Sequence, residues 1–133
     1  MFANSERGQG LAEAAITLPV LLLVTLGLIT LGLVAFAAVN ASNAANFGAR
    51  MGSTAQTDPA GTAASYAYSK INAAPVGSYG VSVSGGGSPG TLVAVTVSYE
   101  VPNYFSGLAG FFGVSASSSF NGSAVSYFRQ EGW

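Results

Sequence analysis

Nine side chains in this 133-residue sequence carry charge, and the chain has neither His nor Cys. The acids are Glu6, Glu13, Asp58, Glu100 and Glu131, and the cations are Arg7, Arg50, Lys70 and Arg129. Without imidazole or thiol there is no thiolate nucleophile, no histidine base, no zinc site of the usual kind and no disulfide framework. Asp58, Glu100 and Glu131 are left for acid–base work or for holding a hard cation. They stand in three distant stretches of chain, and solvated loop and strand positions account for them better. The glycines between Gly80 and Gly90 are followed by no Gly-Lys-Ser/Thr, so that stretch reads as a hairpin turn and not a phosphate cradle. Four scattered cations and a net charge of −1 make no basic patch, so no nucleic acid is expected as partner. Asn40-Ala-Ser and Asn121-Gly-Ser match a glycosylation sequon, a weak signal on its own. The expectation is a chain that is not an enzyme and has no catalytic residue, cofactor or metal.

The placing of the charges says more than their chemistry. A soluble domain carries about a quarter charged residues, whereas this chain carries 7 %. From Ala14 to Ala49 there are 36 consecutive uncharged positions, and within them Ile16 to Val39, 24 residues, are apolar on every side. About 20 such residues cross a hydrocarbon core of roughly 30 Å. A secretory signal has an apolar region of only about 7–15 residues, so a membrane-spanning helix is the better reading. Beyond Val39 the pattern becomes amphipathic. Asn40, Asn43, Asn46 and Arg50 recur at spacings of three and four on one stripe, and Ala41, Ala45, Gly48 and Gly52 make a stripe of small residues on another. One helix is therefore expected over about 11–50, with a bend or loosened turn near Pro19 to Gly27, because proline removes a backbone donor and crowds the preceding turn.

After Met51 the composition shifts to Ser, Thr, Ala, Gly and Tyr. Thr57-Asp58-Pro59 predicts a helix start, with a short helix from Pro59 to about Asn72 ended by the block containing Pro75 and Gly77. Tyr79 to Ser84 alternates as a strand, Ser84 to Gly90 is a Gly-rich hairpin connection, and Thr91 to Val101 alternates clearly. Val93, Val95, Val97 and Tyr99 share the face expected to cover the helix after Asn40, with Glu100 on the solvated face. Pro102 to Gly113 reads as an aromatic-rich loop, and Val114 to Arg129 as further strand broken near Asn121-Gly122. The aromatics from Tyr99 to Trp133 are expected in the core of a small sheet. The fold class is α+β: a long N-terminal helix, a short second helix and three or four antiparallel strands. The organisation is a short leader (1–8), a long hydrophobic helix (9–51) and a small head (52–133).

The segment ERGQGLAEAAITLPV, in which Glu13 follows Gly8 by five positions, resembles the signal of type IV prepilins. The resemblance implies cutting by a prepilin peptidase after Gly8, a new amino terminus at Gln9, and Glu13 as the fifth residue, pairing with the amino group of a neighbouring subunit. A carboxylate at the edge of an apolar bundle is costly unless paired. Taken with the helix ending NAANFGAR, the strand TLVAVTVSYEVP, the loop NYFSGLAGFFG and the ending SAVSYFRQE, the chain resembles the TadE and TadG family of pilin-like proteins of tight-adherence systems. That resemblance implies a pilin-like lollipop, anchored in the membrane by one helix and then exported to the cell surface as a pilus subunit. Its partners would be other pilin-like subunits, the peptidase, an inner-membrane assembly platform and, before assembly, lipid. Glu13, Pro19, Gly27 and Gly32 are the expected assembly residues. The rival readings are an uncleaved, single-pass accessory subunit of a membrane complex, and a sugar- or surface-binding module on a stalk.

Overall fold

A computed structural model describes residues 3–73 and 76–131. The order of elements is α1 (Ala3–Ser53), α2 (Pro59–Asn72), β1 (Ser78–Gly85), β2 (Leu92–Pro102), α3 (Ser106–Phe111) and β3 (Ser119–Arg129), an α+β fold. The strands form one antiparallel sheet in the order β1-β2-β3. The chain divides into two compact units, one comprising α1 as far as Gly32 with Asn103–Ser118, the other Leu33–Pro102 with the chain from Ser119 onward.

The second unit is built on small side chains. Ala41, Ala44, Ala45 and Ala49 of α1 join Ala63, Ala67 and Ile71 of α2 and Val93, Val95, Val97 and Phe128 of the sheet in one buried cluster. The alternation read from β2 is the one observed, since Val93, Val95 and Val97 have no exposed surface while Ser98 and Glu100 face outward. Tyr79, Val81 and Val83 of β1 pack on the same cluster, as the β1–β2 register of Val81↔Val97 and Val83↔Val95 requires. α2 begins where the sequence places it. Asp58, at φ 48°, accepts a hydrogen bond from the Gly61 N–H through Oδ1 (3.0 Å), and Pro59 fills the first turn. Pro75 lies outside the described residues. The turn into β2 uses positive φ at Gly85, Gly86 and Gly87, where a side chain would be strained, and Gln130 closes it: its Oε1 accepts from Gly87 N–H and its backbone pairs with Gly90 and Thr91.

In the first unit Asn103, 5 % exposed, organises the connection between β2 and β3. Its side-chain amide donates to the Ser117 carbonyl (2.7 Å), its Oδ1 accepts from Phe105 N–H (3.3 Å), and its backbone N–H donates to the Ser118 carbonyl (2.9 Å). This one residue clamps both ends of a loop.

Several expectations are corrected. α1 is helical without interruption through Pro19, Gly27 and Gly32, so no turn is melted there. Proline removes a single donor, and the flanking turns hold the rest of the ladder. The stretch read as a loop contains the short α3; six residues with Gly107 and Gly110 among them leave almost no periodic signal. β3 starts at Ser119, not Val114, because Ser117 and Ser118 are engaged by Asn103. It also runs unbroken through Asn121-Gly122. A Cβ on Gly122 would collide with the Tyr99 ring of the facing strand, so glycine there admits an aromatic neighbour and does not break the strand. Finally, only some of the aromatics are core: Phe128 is buried and Tyr99 packs against the cluster, but Tyr104, Phe111, Phe112 and Tyr127 are exposed.

The register has a direct test. Val95→Asp places an unpaired carboxylate in the Ala/Val cluster at a cost of several kcal/mol, so the detergent-solubilised variant loses its cooperative thermal transition. Glu100→Gln, on the outer face, leaves the transition temperature unchanged.

Candidate functional site

Among the described residues the acids gather in no common centre, while Asn40, Asn43, Asn46 and Arg50 of α1 line an open cavity with Lys70 of α2. Asp58 caps α2, Glu100 lies on the exposed face of β2, and Glu131 follows β3, donating its backbone N–H to the Ser53 carbonyl. Among the described residues no three His, Cys, Asp or Glu side chains come together. The outstanding feature is a surface. Leu11, Ile16, Leu18, Val20, Leu21 and Leu22 of α1 are all exposed, between 45 % and 78 %, and the exposure continues through Val24, Leu28, Ile29 and Leu31. α1 is long and apolar enough to cross a membrane, and only 11 % of its most apolar window is buried by the protein itself. Burying one such side chain is worth about 1.5–3 kcal/mol. A dozen left in water would therefore outweigh the whole stability of an ordinary domain, so this surface requires a nonaqueous or protein environment.

Within that surface the polar atoms are satisfied locally. The Thr17 hydroxyl donates to the Glu13 carbonyl, Thr25 to Leu21 and Thr30 to Leu26, each at 2.8 Å, which removes bare hydroxyls from an apolar face. Glu13 is exposed between Leu11 and Ile16. Gly8 and Gln9 are exposed on the helix N-terminal to it. Pro19 is half-buried, and the structure brings it into no cluster with Glu13, Gly27 or Gly32.

The glycines of α1 fall into two groups. A Cβ on Gly8, Gly27 or Gly32 would meet nothing within 4 Å. On Gly48 it would lie 2.6 Å from the Ala63 carbonyl oxygen and 3.0 Å from the Ala67 Cβ; on Gly52, 2.7 Å from Phe128 Cζ and 2.8 Å from the Ala63 Cβ. The late glycines are required by the chain's own packing and the early ones are not. The polar stripe is outward as read, with Asn43, Asn46 and Arg50 exposed. Nothing in the sequence signalled that Lys70 would sit over the Phe47 ring, 4.6 Å from its centroid, with Tyr66 edge-on to the same ring at 5.7 Å. Nor did it show that Tyr104, Phe111 and Phe112 would face outward, since an aromatic run is equally consistent with core.

Fold and surface together define an α+β protein whose distinguishing part is a single exposed, membrane-length N-terminal helix. Compared with known protein families, residues 8–50 match the model of the TadE-like protein family. The match starts at Gly8 and takes in both the apolar run and the polar stripe. No curated protein and no solved structure matches the chain.

The close approach at the late glycines is testable. Gly48→Val must push the backbone of α2 away, and overpacking of this kind costs about 1–3 kcal/mol. The variant unfolds at lower denaturant concentration, whereas Gly32→Val, introduced into open space, leaves the midpoint of the transition unchanged.

Proposed function

We propose that the chain is a structural subunit of a tight-adherence pilus, held in the membrane by α1 and assembled through that same helix once it leaves the lipid. The observation that carries this reading is the exposure of α1: a helix apolar on every side over Ile16–Val39 is stable in lipid, and outside lipid only when packed against other helices. Transfer from one to the other keeps the apolar surface dry throughout, so assembly needs no chemistry from the subunit itself. The subunit is not an enzyme and needs no cofactor.

In this reading Gly8 is the last residue of a leader removed by a prepilin peptidase, Gln9 becomes the amino terminus, and the assembly platform draws the helix from the membrane. Open space at the Gly8 position supports an external reader, since nothing in the chain's own fold asks for glycine there. Glu13 lies four residues beyond the new terminus, where its carboxylate meets the ammonium group of a neighbouring copy as the helices come together and lipid no longer separates them. Gly27 and Gly32 offer places where a neighbouring helix approaches closely. The partners are further copies of this chain or other pilin-like subunits, and the final location is the cell surface. An uncleaved accessory subunit of a membrane complex is the alternative that the same helix permits.

Cleavage and assembly separate in two variants. Gly8→Ala blocks maturation, so amino-terminal sequencing finds the chain beginning before Gln9. Glu13→Ala is cut normally but forms few or no filaments in negatively stained preparations. A wild-type chain that keeps its residues before Gln9 and forms no filament identifies the accessory anchor instead.

A further inference from the structure

We propose that the loop Asn103–Ser118 is a second membrane-contacting element, which inserts Phe111 and Phe112 among the lipid chains beside α1. This inference rests on membrane anchoring by α1, which the pilus subunit and the accessory anchor share.

The loop and α1 up to Gly32 form one compact unit. Within it one face of the helix is partly covered: Thr30 has no exposed surface, and Leu23 and Leu26 are half-buried, while Leu22, Val24, Leu28 and Leu31 on the other faces are exposed. The rest of that unit is the loop. Thr30 stands nine residues before Val39, the end of the apolar run, and nine helical residues correspond to about 13 Å. The run of 24 residues (Ile16–Val39) exceeds the roughly 20 needed to span the hydrocarbon core by only about 6 Å of helix. With the run seated in the bilayer, the part of α1 that shares a unit with the loop, up to Gly32, lies below the upper membrane surface, at the depth of the acyl chains.

The loop has the composition that such a depth demands. No charged residue occurs between Glu100 and Arg129. Tyr104, Phe111, Phe112 and Val114 are 57 %, 84 %, 46 % and 57 % exposed, and the two phenylalanine rings meet edge to face at 5.5 Å. In water this is an apolar patch with nothing to cover it. Tyrosine is characteristic of the membrane–water interface, which suits Tyr104, and phenylalanine is among the side chains favoured within the hydrocarbon. Irregular backbone is kept out of the hydrocarbon, so the side chains of Phe111 and Phe112 enter it while the loop backbone stays at the interface, with part of its polar groups paired. Asn103 closes the base of the loop, and the N–H groups of Phe112, Gly113 and Val114 donate to the carbonyls of Ala109 and Gly110. Lipid is the occupant that fits, because the patch belongs to the same unit as a helix surface of membrane length and repeats its uncharged, apolar character.

The chain has one tryptophan, Trp133, which makes position-specific fluorescence simple. The full-length Trp133→Phe chain carrying Phe112→Trp is reconstituted into phosphatidylcholine bilayers containing lipids brominated on the upper acyl chain. The Trp133→Phe chain carrying Leu22→Trp reports on α1 itself, and Tyr104→Trp provides a second loop position should Phe112→Trp fail to accumulate. Both the loop tryptophan and that of α1 lose most of their fluorescence to bromine if the inference is right. Quenching at position 22 with a bright, red-shifted loop tryptophan overturns loop insertion and leaves anchoring by α1 intact. A blue-shifted but unquenched loop tryptophan also overturns it, by showing that protein, such as a second copy, covers the patch. No quenching at either position overturns the membrane anchoring together with the inference.

Discussion

The fold depends on how closely other elements can approach the later part of α1. A face made of Ala41, Ala44, Ala45, Gly48, Ala49 and Gly52 has little apolar area to bury, so it yields stability only when its partners come near enough for dense dispersion contact. The structure achieves this by letting α2 lay the Ala63 backbone against Gly48. Phe128, the largest of the buried side chains in the cluster, is placed over Gly52. β-branched valines then supply the facing surface from β2, where they sit readily on a pleated strand. Once Val93, Val95 and Val97 are committed to the helix, the rest of the sheet follows. A one-residue slip would turn them to water, and β1 and β3 take their registers from β2 on either side.

What could be read from the sequence followed the same physics. Strong periodicities were legible: the uncharged run of α1, the Asp58-Pro59 start of α2 and the two-residue alternation of β2 each correspond to an element with one face or one end under strict demand. Weak local signals were not. Gly122 looks like a strand breaker when read alone, because the ring that needs its missing Cβ stands on another strand at Tyr99. Val114–Ser118 alternates well enough for a strand, yet a single buried Asn103, distant in sequence, claims the Ser117 and Ser118 carbonyls. Pro19 misleads in the opposite direction. The local cost of proline is real, but a helix of 51 residues stays helical across one missing hydrogen bond.

The surface that carries the functional reading was legible in kind and not in extent. Composition shows that α1 is too apolar for water. It does not show which of its faces the rest of the chain covers, because Leu23 and Leu22 are indistinguishable until the helix is set beside its neighbours. The same holds for the aromatics of the β2–β3 connection, which the sequence presents as core candidates and the fold leaves outside.

Glycine shows how sharply the two parts of α1 differ. At Gly48 and Gly52 the absent side chain is replaced by atoms of the same molecule, so intramolecular packing is reason enough for the residue. At Gly8, Gly27 and Gly32 the space stays open, and each interior glycine still costs helix stability, about 1 kcal/mol relative to alanine. That cost has no return in packing among the described residues. The Ala/Gly face after Asn40 is complete within one chain, whereas the exposed leucines, isoleucines and valines before it are complete only in lipid or against another helix.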